Sequence, residues 1–100
     1  MAKYNKLVRD KIPEYLDSKG ISYEKRTANE EEYRKELIKK LEEEVKEFLE
    51  DNNSEELADI LEVIDALKKL PEFSNVEFVK NKKLEERGGF EKKIILKGEK

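Results

Sequence analysis

The sequence contains no cysteine, which rules out a disulfide framework, a thiolate metal site and a cysteine nucleophile. Histidine is absent as well, and with it go the commonest general base and the usual ligand of zinc and copper. Any metal must therefore be held by oxygen, a donor set that favours magnesium or manganese. No apolar run approaches the roughly 18 residues of a membrane span, and the start MAKYNKLVRDK lacks the apolar stretch of a signal peptide. A cytoplasmic location without a membrane partner is the expectation. A net charge of −3 with a pI near 5.3 argues against a nucleic-acid binder, which normally carries a basic balance. Also missing is a GxxxxGK[ST] loop, so phosphates have to be met by side chains rather than by a backbone cradle.

What remains is a chain of 100 residues in which 47% are charged. That length makes a single domain, 1–100, with a modest core, and small domains gain from metal binding or association. Tyr4 to Val8 reads as extended. Pro13 and Gly20 punctuate a first short helix, and residues 21–28 form an irregular link. Asn29 with Glu32 resembles a capping box opening a long helix to about Leu49. Ser54 is expected to cap the next, which ends near Leu70 before Pro71. Ser74 with Glu77 predicts a further cap, for a helix from Asn75 to about Arg87 closed by Gly88 and Gly89. Phe90 to Leu96 reads as a strand that pairs with the extended start, since a lone strand leaves its backbone unsatisfied. The expected fold class is all-α, an antiparallel helical bundle with a small accessory two-stranded element from the N- and C-terminal segments.

The most informative residues are Glu44 and Glu47 on the long helix and Glu56 and Asp59 on the next. At about 100° per residue, with Leu37 at zero, the apolar arc of the first helix runs from about −40° to +120°, and Glu44 falls inside it near −20°. Glu47 lies just past its border, near −80°. With Ile60 at zero, the second arc runs from about −80° to +100°, with Glu56 inside near −40° and Asp59 at the border near −100°. An unpaired charge inside an apolar arc is costly, and one multivalent cation is the simplest way to satisfy four acids together. The plainer alternative, a solvated acidic face, suits Glu42, Glu50, Glu55 and Glu62.

The short break Asp51-Asn52-Asn53-Ser54 forces the two helices into an antiparallel pair, which sets the two acidic pairs opposite each other. Magnesium shares its coordination with phosphate oxygens, so the expected chemistry is metal-assisted phosphoryl transfer on a nucleoside triphosphate or a diphosphate-linked compound. Lys80, Lys82, Lys83 and Arg87 on the fourth helix, with Lys92 and Lys93 after it, are the candidates for phosphate contact. The early group Lys6, Arg9 and Lys11 either lies against a ligand or keeps the start soluble.

The run Lys40 to Glu47 followed by Glu56-Leu57-Ala58-Asp59 resembles the E-E-x-x-E and E-x-x-D signature of the all-alpha nucleoside triphosphate pyrophosphohydrolases. These include MazG-like proteins, dimeric dUTPases and phosphoribosyl-ATP pyrophosphohydrolase. YNKLVRDKIPE and RGGFEKKIIL are similar to the short phosphoribosyl-ATP pyrophosphohydrolase-like branch, predicted house-cleaning enzymes. The resemblance spans Tyr4 to about Leu96. It implies magnesium held by Glu44, Glu47, Glu56 and Asp59, catalytic roles for Glu43, Glu44 and Glu47, and cleavage of a nucleoside triphosphate to monophosphate and pyrophosphate. Among the basic residues it prefers Lys83 and Arg87 for phosphate contact, by their position in the stretch KKLEERGGF. It further implies a homodimer or a dimer of dimers. The short connection between the acidic helices leaves nucleobase preference open. The competing reading is a non-catalytic helical interaction or nucleotide-sensing module with a structural cation.

Overall fold

The computed structural model describes residues 5–99, in the order α1 (Ile12–Ser18), α2 (Glu30–Asp51), α3 (Ser54–Lys68), a 3-10 turn (Pro71–Phe73) and α4 (Val76–Arg87). The chain is all-helical; among the described residues there is no strand. The longest element, α2, starts where the sequence signals it. Asn29 is extended and its Oδ1 accepts from the Glu32 amide at 2.9 Å, while Glu30, Glu31 and Glu32 place negative charge at the positive end of the helix dipole.

Only Asn52 and Asn53 connect α2 to α3. Asn52 adopts the left-handed conformation (φ 50°, ψ 44°) and its amide donates to the Phe48 carbonyl at 2.7 Å. Asparagine tolerates that region better than other non-glycine residues. Asn53 is extended and its Oδ1 accepts from the Glu56 amide at 2.9 Å. The cap of α3 is thus Asn53 and not Ser54, which already belongs to the helix.

Helix α4 differs from expectation in the same way. Ser74 has helical backbone angles (φ −61°, ψ −20°) and its amide closes the 3-10 turn on the Pro71 carbonyl at 3.2 Å, so it is not placed to cap. The N-cap position falls to Asn75, without a side-chain cap hydrogen bond. Leu70, extended before Pro71, ends the preceding turn.

Helices α2 and α3 pack antiparallel around Leu37, Val63 and Leu70, with Leu7, Tyr33, Leu41, Ala66, Leu67 and Phe73 closing over them. Leu16 of α1 is buried as well. The anticipated strand at Phe90 to Leu96 is interrupted. The Lys93 amide donates to the Phe90 carbonyl at 3.2 Å, and Lys93 has φ 59°, so the backbone turns in mid-segment. Ile94, Ile95 and Leu96 are exposed, and Phe90 is 98% exposed. Among the described residues no strand forms with them, and Leu7 of the early segment packs against the hairpin core instead. The accessory two-stranded element is therefore not seen; Tyr4, assigned to its first strand, lies outside the described residues.

The chain exposes 9679 Å² and has a radius of gyration of 18.0 Å. A compact monomer of this mass would expose about 5900 Å² and have a radius near 13 Å. Much apolar surface is accordingly left open. Ile38, Val45 and Leu49 of α2 and Leu57, Leu61 and Ile64 of α3 are exposed. They lie about 80° to 120° round from Leu37 and about 40° to 100° round from Ile60. In antiparallel helices, offsets of the same sense point to the same side, so these six residues form one face of the hairpin. No helix among the described residues is long and apolar enough to cross a membrane.

Candidate metal centre

The capped two-residue connection puts the last turns of α2 opposite the first turns of α3. Glu44, Glu47, Glu56 and Asp59 each offer one carboxylate oxygen to a group whose atoms all lie within 4.8 Å of one another. The spacing of three residues within each pair brings the two acids of a helix to the same side, and the tight turn brings the sides together.

Burial makes this more than an acidic surface. Glu44 is only 6% exposed, the sole buried charged residue among those described. Its Oε1 lies 3.5 Å from Lys40 Nζ, a pairing that follows from the i, i+4 spacing on α2. Its Oε2 is buried without a partner, as is Oε2 of Glu56. A buried carboxylate oxygen left unbonded carries a large desolvation cost, and none of the described residues supplies a hydrogen bond to either of these two atoms.

The electrostatics agree. The Glu44 carboxyl is pushed above the usual glutamate range, first by burial and then by the charge of Glu47, against the opposing pull of Lys40. Glu47 is pushed up too, by burial first and then by the adjacent Glu56. Crowded carboxylates that resist ionisation are relieved either by protons or by a cation.

Oxygen-only donors in this number suit a hard divalent ion. Opposite oxygens of a magnesium shell stand about 4.2 Å apart, twice its bond length of roughly 2.1 Å. The spread of 4.8 Å is a little wider than that and within the span of the oxygen shell of a larger hard divalent ion, whose bonds are roughly 2.3 to 2.6 Å, so the residues present fit a hard divalent ion as a class.

The remaining residues singled out in the sequence fall into two groups. Glu43 stands beside the cluster but is not one of the four; it meets Lys6 Nζ at 3.2 Å and Lys40 Nζ at 3.8 Å. Lys83 and Arg87 are exposed on α4 and form no ion pair with the four acids among the described residues. Arg9, of the early basic group, donates from its guanidinium Nη2 to Asp59 Oδ1 across fifty positions of chain, a pairing the sequence did not disclose. No local spacing could have signalled that pair. Two shallow, open hollows lie elsewhere, along α2 near Arg34 and Glu72 and near Asn29 and Lys39. Neither is lined by the four acids, and the charged cluster is the stronger candidate because it has unmet bonding capacity at its centre. No family model, curated protein sequence or solved structure matches this chain.

Proposed function

We propose that the chain is a magnesium-dependent nucleoside triphosphate pyrophosphohydrolase of the MazG-like kind, releasing monophosphate and pyrophosphate in a house-cleaning role. The observation that carries this reading is the buried, unpartnered Oε2 of Glu44 inside a convergent group of four carboxylates. The resemblance of EEEVKE and ELAD to the family's acidic signature supports it. Glu44, Glu47, Glu56 and Asp59 would hold magnesium, with manganese as a substitute. When bound, such an ion supplies charge for the phosphate oxygens and the departing pyrophosphate.

The chain's own groups do the rest. Glu44 and Glu47, fixed on one helix face, would hold the cation and orient the attacking water beside it. Glu43, next to the cluster yet outside it, takes the proton of that water as the bond between the α and β phosphates breaks. The capped turn at Asn52 and Asn53 holds the two helices in register, so the acids are positioned before substrate arrives.

A second copy of the chain completes the assembly in this reading. The six exposed apolar residues on one face of the α2–α3 hairpin, and a surface far larger than a compact monomer's, fit a helical interface that extends the core into a homodimer, or a dimer of dimers.

The decisive experiment is a pyrophosphate-release screen over normal and damaged nucleoside triphosphates, with and without magnesium. The expected result is metal-dependent release of pyrophosphate and monophosphate from at least one of them. Inorganic phosphate as first product would overturn the assignment. Magnesium binding without any turnover would leave a cation-dependent sensing module instead.

A further inference from the structure

Residues 6–9, ahead of α1, lie against the acidic end of the hairpin. Leu7 is anchored in the core, and on either side of it Lys6 reaches Glu43 at 3.2 Å while Arg9 bonds Asp59. Among the described residues, two cations thus touch the four acids, Arg9 at Asp59 and Lys40 at Glu44, while Lys6 holds the neighbouring Glu43. A polyphosphate arriving here adds negative charge to a site already crowded with carboxylates, and a single divalent ion does not offset both. The chain has to supply a donor on the solvent side.

Lys40 is poorly placed for that. Its side chain is largely covered and its ammonium lies between Glu43 and Glu44. Arg9 differs in each respect. It comes from a non-helical segment, its side chain is more than half exposed, and Asp59 engages only one of its guanidinium nitrogens. A guanidinium has five N–H donors in a fixed fork, which matches phosphate oxygens in a way an ammonium does not.

We infer that Arg9 is a phosphate-binding residue of this site, a role that rests on the proposed metal-dependent function. Its bond to Asp59 parks the fork at the edge of the acidic cluster, within reach of an oxyanion held there. Lys11, nearby in sequence but without an ion pair among the described residues, serves as control.

The test measures manganese binding alone, and then binding of inorganic pyrophosphate in saturating manganese, for the full chain and for Arg9→Ala, Arg9→Lys and Lys11→Ala. Arg9→Ala is expected to bind manganese within about twofold of the parent, or more tightly, because Asp59 loses a competing cation. Its pyrophosphate affinity is expected to fall at least tenfold, with Arg9→Lys intermediate and Lys11→Ala unchanged. Pyrophosphate binding that survives in Arg9→Ala, or that falls only as far as manganese binding does, overturns the assignment of Arg9 while leaving the metal centre standing. A parent chain that binds manganese but not pyrophosphate also overturns it. A parent that binds no manganese overturns the metal centre itself. Should Arg9→Ala fail to fold, the comparison between the parent and Arg9→Lys decides.

Discussion

Glu44 is the residue on which most depends, because burial and neighbouring charge both resist its ionisation. A carboxyl whose pKa is raised on folding binds its proton more tightly in the folded state. As pH rises from the ordinary glutamate value through the raised one, the folded chain must give up that proton at a penalty and stability falls. Glu47 acts in the same sense. Glu32 and Glu77 act in the opposite sense, held down by Arg26 and Lys68, and their contribution is lost only on acidification through values below the ordinary range. The two windows therefore separate. In chelator, the melting temperature should decline from mildly acidic to neutral pH, and Glu44→Gln should remove part of that decline and melt higher than the parent at neutral pH. Added magnesium should raise the parent's melting temperature by mass action, by an amount equivalent to about 2.7 kcal/mol at a hundredfold excess over Kd. The double change Glu44→Gln with Glu56→Gln should abolish that rise. Thermal scans against pH and magnesium check both; parallel curves for parent and variants would show that these carboxyls carry neither effect.

Among the elements, the connection between α2 and α3 governs the site. Asn53→Ala removes the side-chain cap seen at 2.9 Å from the Glu56 amide and should cost about 1 kcal/mol. It should also weaken magnesium binding, because Glu56 sits in the first turn that the cap secures. Asn29→Ala removes an equivalent cap at the far end of α2. It should cost a similar amount, about 1 kcal/mol, and leave magnesium affinity alone. Calorimetric titration of the two variants separates site geometry from general stability. These elements also show what a sequence discloses. The angular positions of Glu44 and Glu56 inside apolar arcs anticipated their buried oxygens, since helical periodicity fixes which face a residue takes once that face is packed. The cap of α3 was legible only to within one residue, because Asn53 and Ser54 are both good caps and backbone angle decides between them. The strand at Phe90 to Leu96 was misread because β-branched residues there favour extension, while the Lys93 turn and the lack of a neighbouring strand prevent pairing. The contact of Arg9 with Asp59 was beyond any periodicity, being set by where Leu7 anchors the segment.

At the scale of the whole molecule, four buried hydrophobic residues among those described are a thin core for 100 residues. The open face carrying Leu57 and Leu61 should be covered by a second chain. Light scattering at micromolar concentration is expected to give a dimer or larger assembly. Leu61→Lys places a charge where the chain alone is already exposed, so in a monomer it should be nearly neutral. In a dimer it should dissociate the subunits and lower the melting temperature by several degrees. A compact 12 kDa species from the parent, at about that mass, would sink the interface. The brevity of the Asn52–Asn53 link bears finally on how the protein comes into being. Every one of the four acids lies between Glu44 and Asp59, so gathering them closes only a short loop and costs little chain entropy. Contacts so near in sequence form early and fast. Gathering the full set of acids therefore requires α2 and α3 alone, and no residue of α4.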